Sequence, residues 1–111
     1  MKIASVHAHP DDAEILAGGT LALLAAAGHE ITIVTMAAGD CGSGEFAAEE
    51  LVRIRRAEAV AAAALIGAKY RWGGFHDLAI FSDDPSRRNV TRLIRELNPD
   101  IVLTASPSDY L

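Results

Sequence analysis

Apolar runs alternate with helical stretches along the whole chain, and this alternation limits the possible folds more than any other feature of the sequence. The runs KIASV at 2–6, EITIVTMAA at 30–38, a short segment at about 69–73 and DIVLTAS at 100–106 read as strands rich in apolar and β-branched residues. Between them, helical spacing extends over about 13–27, 47–66 and 85–97. Gly28 and Gly67 stand where a helix end needs left-handed backbone, and Pro85 stands in the first turn of the third helix. Strands that are apolar throughout and separated by helices need cover on both faces. The expected architecture is α/β, a Rossmann-like three-layer sandwich with a mostly parallel sheet and right-handed crossovers. Many of the twenty-one alanines fall in the first two helices, where they let a helix lie close to the sheet.

The sequence stops at SPSDYL, directly after the fourth strand, with no fifth strand or closing helix. We therefore expect residues 1–111 to be a single domain, truncated after its fourth strand. Half of the residues are apolar, enough for one core at this length. A net charge of −5 and the lack of a long Lys/Arg run argue against nucleic acid as a partner. No apolar stretch approaches membrane-spanning length, and MKIASVHAH lacks the apolar centre of a signal peptide. A soluble cytoplasmic protein is expected, and the lone cysteine, Cys41, agrees with a reducing compartment.

The stretch HAHPDDAEIL, residues 7–16, lies where the first strand should simply turn into a helix, yet it holds two histidines and three carboxylates. In open parallel sheets the functional crevice lies beyond the carboxyl ends of the strands, and this is the first such loop. Helix capping accounts for part of it, with Asp11 as N-cap and Glu14 as its capping-box partner. Capping does not require His9 beside Pro10 or a second adjacent aspartate, and crowded carboxylates repel one another unless a cation neutralises them. Imidazole nitrogen and carboxylate oxygen are ligand types of catalytic zinc, so His9 and Asp12 could supply two donors. Asp11, on the other side of the loop, would then be free to take a proton from the water that a metal activates. Spacing alone leaves capping and metal catalysis both open.

The string AHPDDAE at 8–14, followed by GGTLALLAAAGHEITIVTMAAGD, closely resembles the LmbE-like (PIG-L) de-N-acetylases, metal-dependent enzymes that remove acyl groups from N-acylated amino sugars. The resemblance covers nearly the whole chain as the N-terminal part of such a domain. A weaker match is R-x-x-E at Arg55 to Glu58, before an alanine-rich helix ending in Leu-Ile-Gly. The resemblance implies His9 and Asp12 as metal ligands, Asp11 as general base, Asp77 as a substrate contact, and zinc or ferrous iron as cofactor. It also implies a third ligand, a histidine in a later segment often reading Tyr-x-His-Pro-Asp-His. The chain ends at Tyr110-Leu111, where that segment would begin, and Tyr110 falls where some members have a tyrosine that assists the tetrahedral intermediate.

Other residues carry weaker signals. His7, at the end of a buried strand, reads as a hydrogen-bonded structural group rather than a ligand. His29 should lie on the opposite edge of the sheet, whereas His76 follows the third strand on the functional edge. The glycine-rich loop 39–45 suits either a mobile substrate flap or a plain connection. Arg55 could bind a sugar hydroxyl or phosphate, or simply pair with Glu58 on its helix. Glu14 serves as a cap or supports the ligands from behind.

The expected activity is zinc-dependent hydrolysis of an N-acetyl group on a small amino-sugar derivative, giving acetate and a free amine. Two rivals differ in kind. An H-x-H metallohydrolase using His7 and His9 would need a (β/α)₈ barrel, and a non-catalytic metal- or sugar-binding module fits the missing histidine. The fragment alone should be weakly active at most, with its uncovered flank favouring a homo-oligomer.

Overall fold

The structure, a computed structural model, describes residues 1–108. Its elements run β1 Lys2–His7, α1 Asp12–Ala26, β2 Glu30–Ala37, α2 Ala48–Leu65, β3 Lys69–Phe75, α3 Asp84–Leu97 and β4 Ile101–Thr104. Every expected strand and helix is present. Gly28 and Gly67 have φ of 87° and 69°, the left-handed backbone expected after α1 and α2. Tyr110 lies outside the described residues.

The four strands form one parallel sheet in the order β3-β2-β1-β4. The chain winds outward from β1 through β2 to β3, then crosses back to place β4 on the other side of β1. Right-handed crossovers in opposite directions put α1 and α2 on one face and α3 on the other. Packing agrees. Ile3, Ile31 and Ile33 of the sheet meet Ala13 and Leu21 of α1 and Ala63 of α2 in one buried cluster. Leu93 of α3 is buried outside that cluster. Small residues at Ala13, Ala59 and Ala63 are what allow α1 and α2 this close approach.

An open sheet of this order is incompatible with the barrel that an H-x-H metallohydrolase would need. His7 also argues against it: the side chain is buried and its Nε2 lies 3.0 Å from Ser5 Oγ, so it is held as a hydrogen-bonded group at the end of β1. The winding reverses direction at β1, and the crevice for a ligand in such sheets opens there, beyond the strand's carboxyl end. That end leads directly into His9.

Candidate active site

The loop from β1 to α1 is closed on itself. Asp12 opens α1, and its Oδ2 accepts the His9 backbone N–H at 2.8 Å, while Asp12 N–H donates to the His9 carbonyl at 3.3 Å. His9 is thereby folded back over Asp12, with its ring Nδ1 3.8 Å from Asp12 Oδ2. Both side chains remain partly open to solvent.

Asp11 occupies the N-cap position of α1 but does not cap it with its side chain. Its backbone is left-handed, φ 96°, which turns the carboxylate away from the helix and toward α2. There Oδ2 accepts Arg55 Nη2 at 2.7 Å; the same nitrogen donates to the Pro10 carbonyl at 2.7 Å, and Nη1 donates to Glu58 at 2.6 Å. Arg55 makes the expected pair with Glu58 and also lines the cavity. Partial burial would pull its pKa down, but the bonds and charges of Asp11 and Glu58 outweigh that and hold it above its ordinary value. The capping box fails at its other end as well. Glu14 Oε2 is buried without a hydrogen-bond partner among the described residues.

The loops after β2 and β3 meet this one. Gly39, at φ 78°, brings bare backbone against Pro10 and Arg55, where an added Cβ would lie 3.3 Å from Pro10 Cδ. Its N–H donates to Asp77 Oδ1 at 2.8 Å, and Cys41 N–H donates to Asp77 Oδ2 at 3.0 Å. Asp40 returns the arrangement: Oδ1 accepts Asp77 N–H at 2.8 Å, and Oδ2 lies 2.7 Å from His76 Nδ1. Burial would raise the Asp40 carboxyl, but the hydrogen bonds from Asp77, His76 and its own backbone outweigh it and hold the pKa below the usual carboxylate range. Asp77 Oδ1 stands 3.8 Å from His9 Nε2.

His9, Asp11, Asp12, Arg55 and Asp77 therefore line one cavity of about 670 Å³, a size suited to a small-molecule ligand. Of the six described residues given a role at the site in the sequence reading, these five come together there and Glu14 does not. Glu14 lies behind Asp11 in a smaller recess with Arg55 and Glu58. His76 does not join His9 and Asp12, because its ring is directed at Asp40. His29 sits at the far edge, 3.3 Å from the N-terminal amine. Asp40, Cys41 and Asp77 come within metal-ligand spacing of one another, but both carboxylates already accept the hydrogen bonds just described. Sequence reasoning passed over Asp40. Its one signal was an acid directly after the second strand on the functional edge.

Comparison with known proteins gives the family. The family model described as PIG-L, GlcNAc-PI de-N-acetylase, matches residues 4–110. A curated relative, the 1D-myo-inositol 2-acetamido-2-deoxy-alpha-D-glucopyranoside deacetylase of Corynebacterium diphtheriae, is 32% identical over 96% of this chain and 45% of its own. Among solved structures, the N,N'-diacetylchitobiose deacetylase of Pyrococcus horikoshii is similar with a TM-score of 0.84 and 33% identity, over 91% of this chain and 39% of that one. The 4-carboxy-2-hydroxymuconate hydratase of Pseudomonas putida KT2440 is similar with a TM-score of 0.81 and 30% identity, over 99% of this chain and 50% of that one. The chain spans about half the length of the curated relatives it matches. With a fold, a histidine-aspartate loop and a family model that agree over nearly all its residues, this chain belongs to the PIG-L (LmbE-like) de-N-acetylase family.

Proposed function

We propose that the chain carries the water-activating part of a metal-dependent N-deacetylase site acting on an N-acetylated amino-sugar derivative. The observation that carries this reading is the pair His9 and Asp12, two donors of zinc type turned toward each other at the wall of the cavity, with Asp11 fixed beside them. Zinc bonds to nitrogen and oxygen are about 2.0–2.2 Å, so one ion can reach two donors up to about 4 Å apart. The 3.8 Å between His9 Nδ1 and Asp12 Oδ2 satisfies that limit. Zinc is the metal we favour, with ferrous iron as the other candidate. When bound, such an ion would polarise the amide carbonyl and acidify water.

The chain's own residues divide the remaining work. Asp11 receives the proton as water attacks the amide, and later returns a proton to the departing amine. Arg55 holds the Asp11 carboxylate in place through its hydrogen bond, and with Asp77 it lies where it can contact the sugar. Glu14 supports the loop from behind. Acetate and a free amine leave together. Relatives in this family bear the names of amino-sugar deacetylases, and that supports the substrate class.

The likeness to a hydratase supports a second reading, in which the same proton-accepting group adds water across a carbon-carbon double bond. One experiment separates the two. A form extended to the length of its relatives, given zinc and an N-acetylglucosamine derivative, should release acetate and amine in equal amounts, and a chelator should stop it. Finding no acetate, no zinc binding and instead hydration of an unsaturated carboxylic acid would replace the first reading with the second.

A further inference from the structure

Two aspartates, Asp40 and Asp77, lock the β2–α2 and β3–α3 loops together by each accepting backbone N–H groups from the other's loop. Both carboxylates are only 9% exposed. Asp77 faces the cavity, whereas Asp40 is not among the residues lining it. The two therefore differ in reach. Asp77 can act on the site directly, and Asp40 only through Asp77.

Asp77 also faces the His9 ring. That imidazole lies between two carboxylates, with Asp12 Oδ2 3.8 Å from Nδ1 and Asp77 Oδ1 3.8 Å from Nε2. An imidazole that binds a metal through one nitrogen is commonly oriented by a carboxylate or carbonyl at the other. Asp12 lies on α1's first turn and Asp77 on a loop some sixty residues later in the sequence. At 3.8 Å neither carboxylate hydrogen-bonds the ring; Asp77 flanks its Nε2 side from another loop, and its place there is no firmer than the clamp holding it.

We propose that Asp40 is a positioning residue: by bridging the Asp77 backbone N–H and the His76 ring, it holds the Asp77 carboxylate against the Nε2 side of His9 and so sets the orientation of that imidazole. The inference rests on the reading of His9 as a metal ligand given above. His76 then has a use that does not require it to touch metal or substrate. It supplies the second partner of Asp40, and its ring packs edge-on against Trp72 at a centroid distance of 5.7 Å, which anchors the clamp to β3.

The test uses the 111-residue chain with Asp40→Asn and Asp40→Ala, and with Glu45→Gln in the same exposed loop as control. Three quantities are measured: amide exchange at Gly39 and Cys41, the ring-nitrogen shifts of His9 in metal-free protein, and zinc affinity by competition with a chromophoric chelator. Asp40→Ala should speed both amides, move the His9 ring shifts and weaken zinc by about 10–100-fold, the range for losing a group that orients a ligand. Asp40→Asn keeps an acceptor for Asp77 N–H and should fall between Ala and parent, while Glu45→Gln should match the parent. A purely structural role would lower the melting temperature without moving the His9 ring. His9 shifts and zinc affinity equal to the parent's in both Asp40 variants would overturn the proposal. If Asp40→Ala does not fold, Asp40→Asn decides by the same criteria. If the parent itself binds no zinc, the metal reading fails; moved His9 resonances in the metal-free variants would still support positioning, and unmoved ones would overturn it.

Discussion

Asp11 combines a left-handed backbone with a carboxylate held by a guanidinium. That conformation costs a non-glycine residue about 1–2 kcal/mol, less for Asp or Asn, whose short polar side chains tolerate it. It persists because Arg55 holds both the Asp11 side chain and the Pro10 carbonyl. Asp11→Asn keeps the shape and the backbone preference while removing the carboxylate proposed as the base. In a complete form of the enzyme we expect it to retain metal and lose about 10²–10⁴-fold in turnover. Near-normal turnover across neutral pH would remove Asp11 from that role. His9→Ala and Asp12→Ala should each lower metal content sharply by elemental analysis. Glu14→Ala should lower it less, since Glu14 lies behind the loop. Equal loss in all three would contradict this division of roles.

At the scale of elements, the sequence disclosed nearly the whole secondary structure, because apolar runs and glycine punctuation are local signals. It misjudged local detail where a distant partner intervenes. Asp11, Glu14 and the spacing between them are those of a capping box, but Arg55, forty-four residues away, takes the Asp11 carboxylate and the box does not form. The clamp of Asp40, His76 and Asp77 was illegible for the same reason: its bonds join residues 36–38 positions apart, and no local pattern encodes such a pairing. Gly39 lies at the crossing of all three loops. Gly39→Ala should destabilise the chain by about 1–2 kcal/mol through left-handed backbone alone, and the contact with Pro10 should also disturb Asp77. A denaturant midpoint equal to the parent's would show that the loop relaxes freely. A local signal that did hold is Pro85 in the first turn of α3, where Asp83 caps the helix by accepting Ser86 N–H at 2.9 Å. That bond holds the Asp83 carboxyl below its ordinary pKa. A depressed folded-state pKa contributes stability above the unfolded value and loses it as pH falls through the folded one. Asp83→Ala should therefore melt lower than the parent at neutral pH, and the difference should close below about pH 4. A difference that stays constant down to pH 2 would mean that the charge plays no part.

For the molecule as a whole, the decisive features are the count of metal donors and the surface left uncovered. Among the described residues no third histidine, cysteine or carboxylate joins His9 and Asp12 within ligand spacing, whereas zinc sites normally take at least three protein ligands. Binding through two donors should be weak. On the same flank, α1 turns Ile15, Leu16 and Leu23 outward, and β4, the outer strand of the sheet among the described residues, leaves Ile101 and Val102 partly open to solvent. A second cavity of about 600 Å³ lies between α1 and β4, lined by Leu16, Ala17, Leu103 and Ala105, and shares His9 and Asp12 with the first. Apolar side chains beside an unpaired strand edge favour association. We therefore expect the 111-residue chain to hold zinc weakly, to release little amine from an N-acetylated sugar, and to increase in mass with concentration during sedimentation. Leu23→Lys and Val102→Lys place charge on that flank without touching His9, Asp11 or Asp12, and should shift the mass toward monomer while zinc affinity stays unchanged. If the parent chain is instead monomeric at all concentrations, with one tightly held zinc and rapid turnover, the two donors are sufficient and the uncovered flank has no part in assembly.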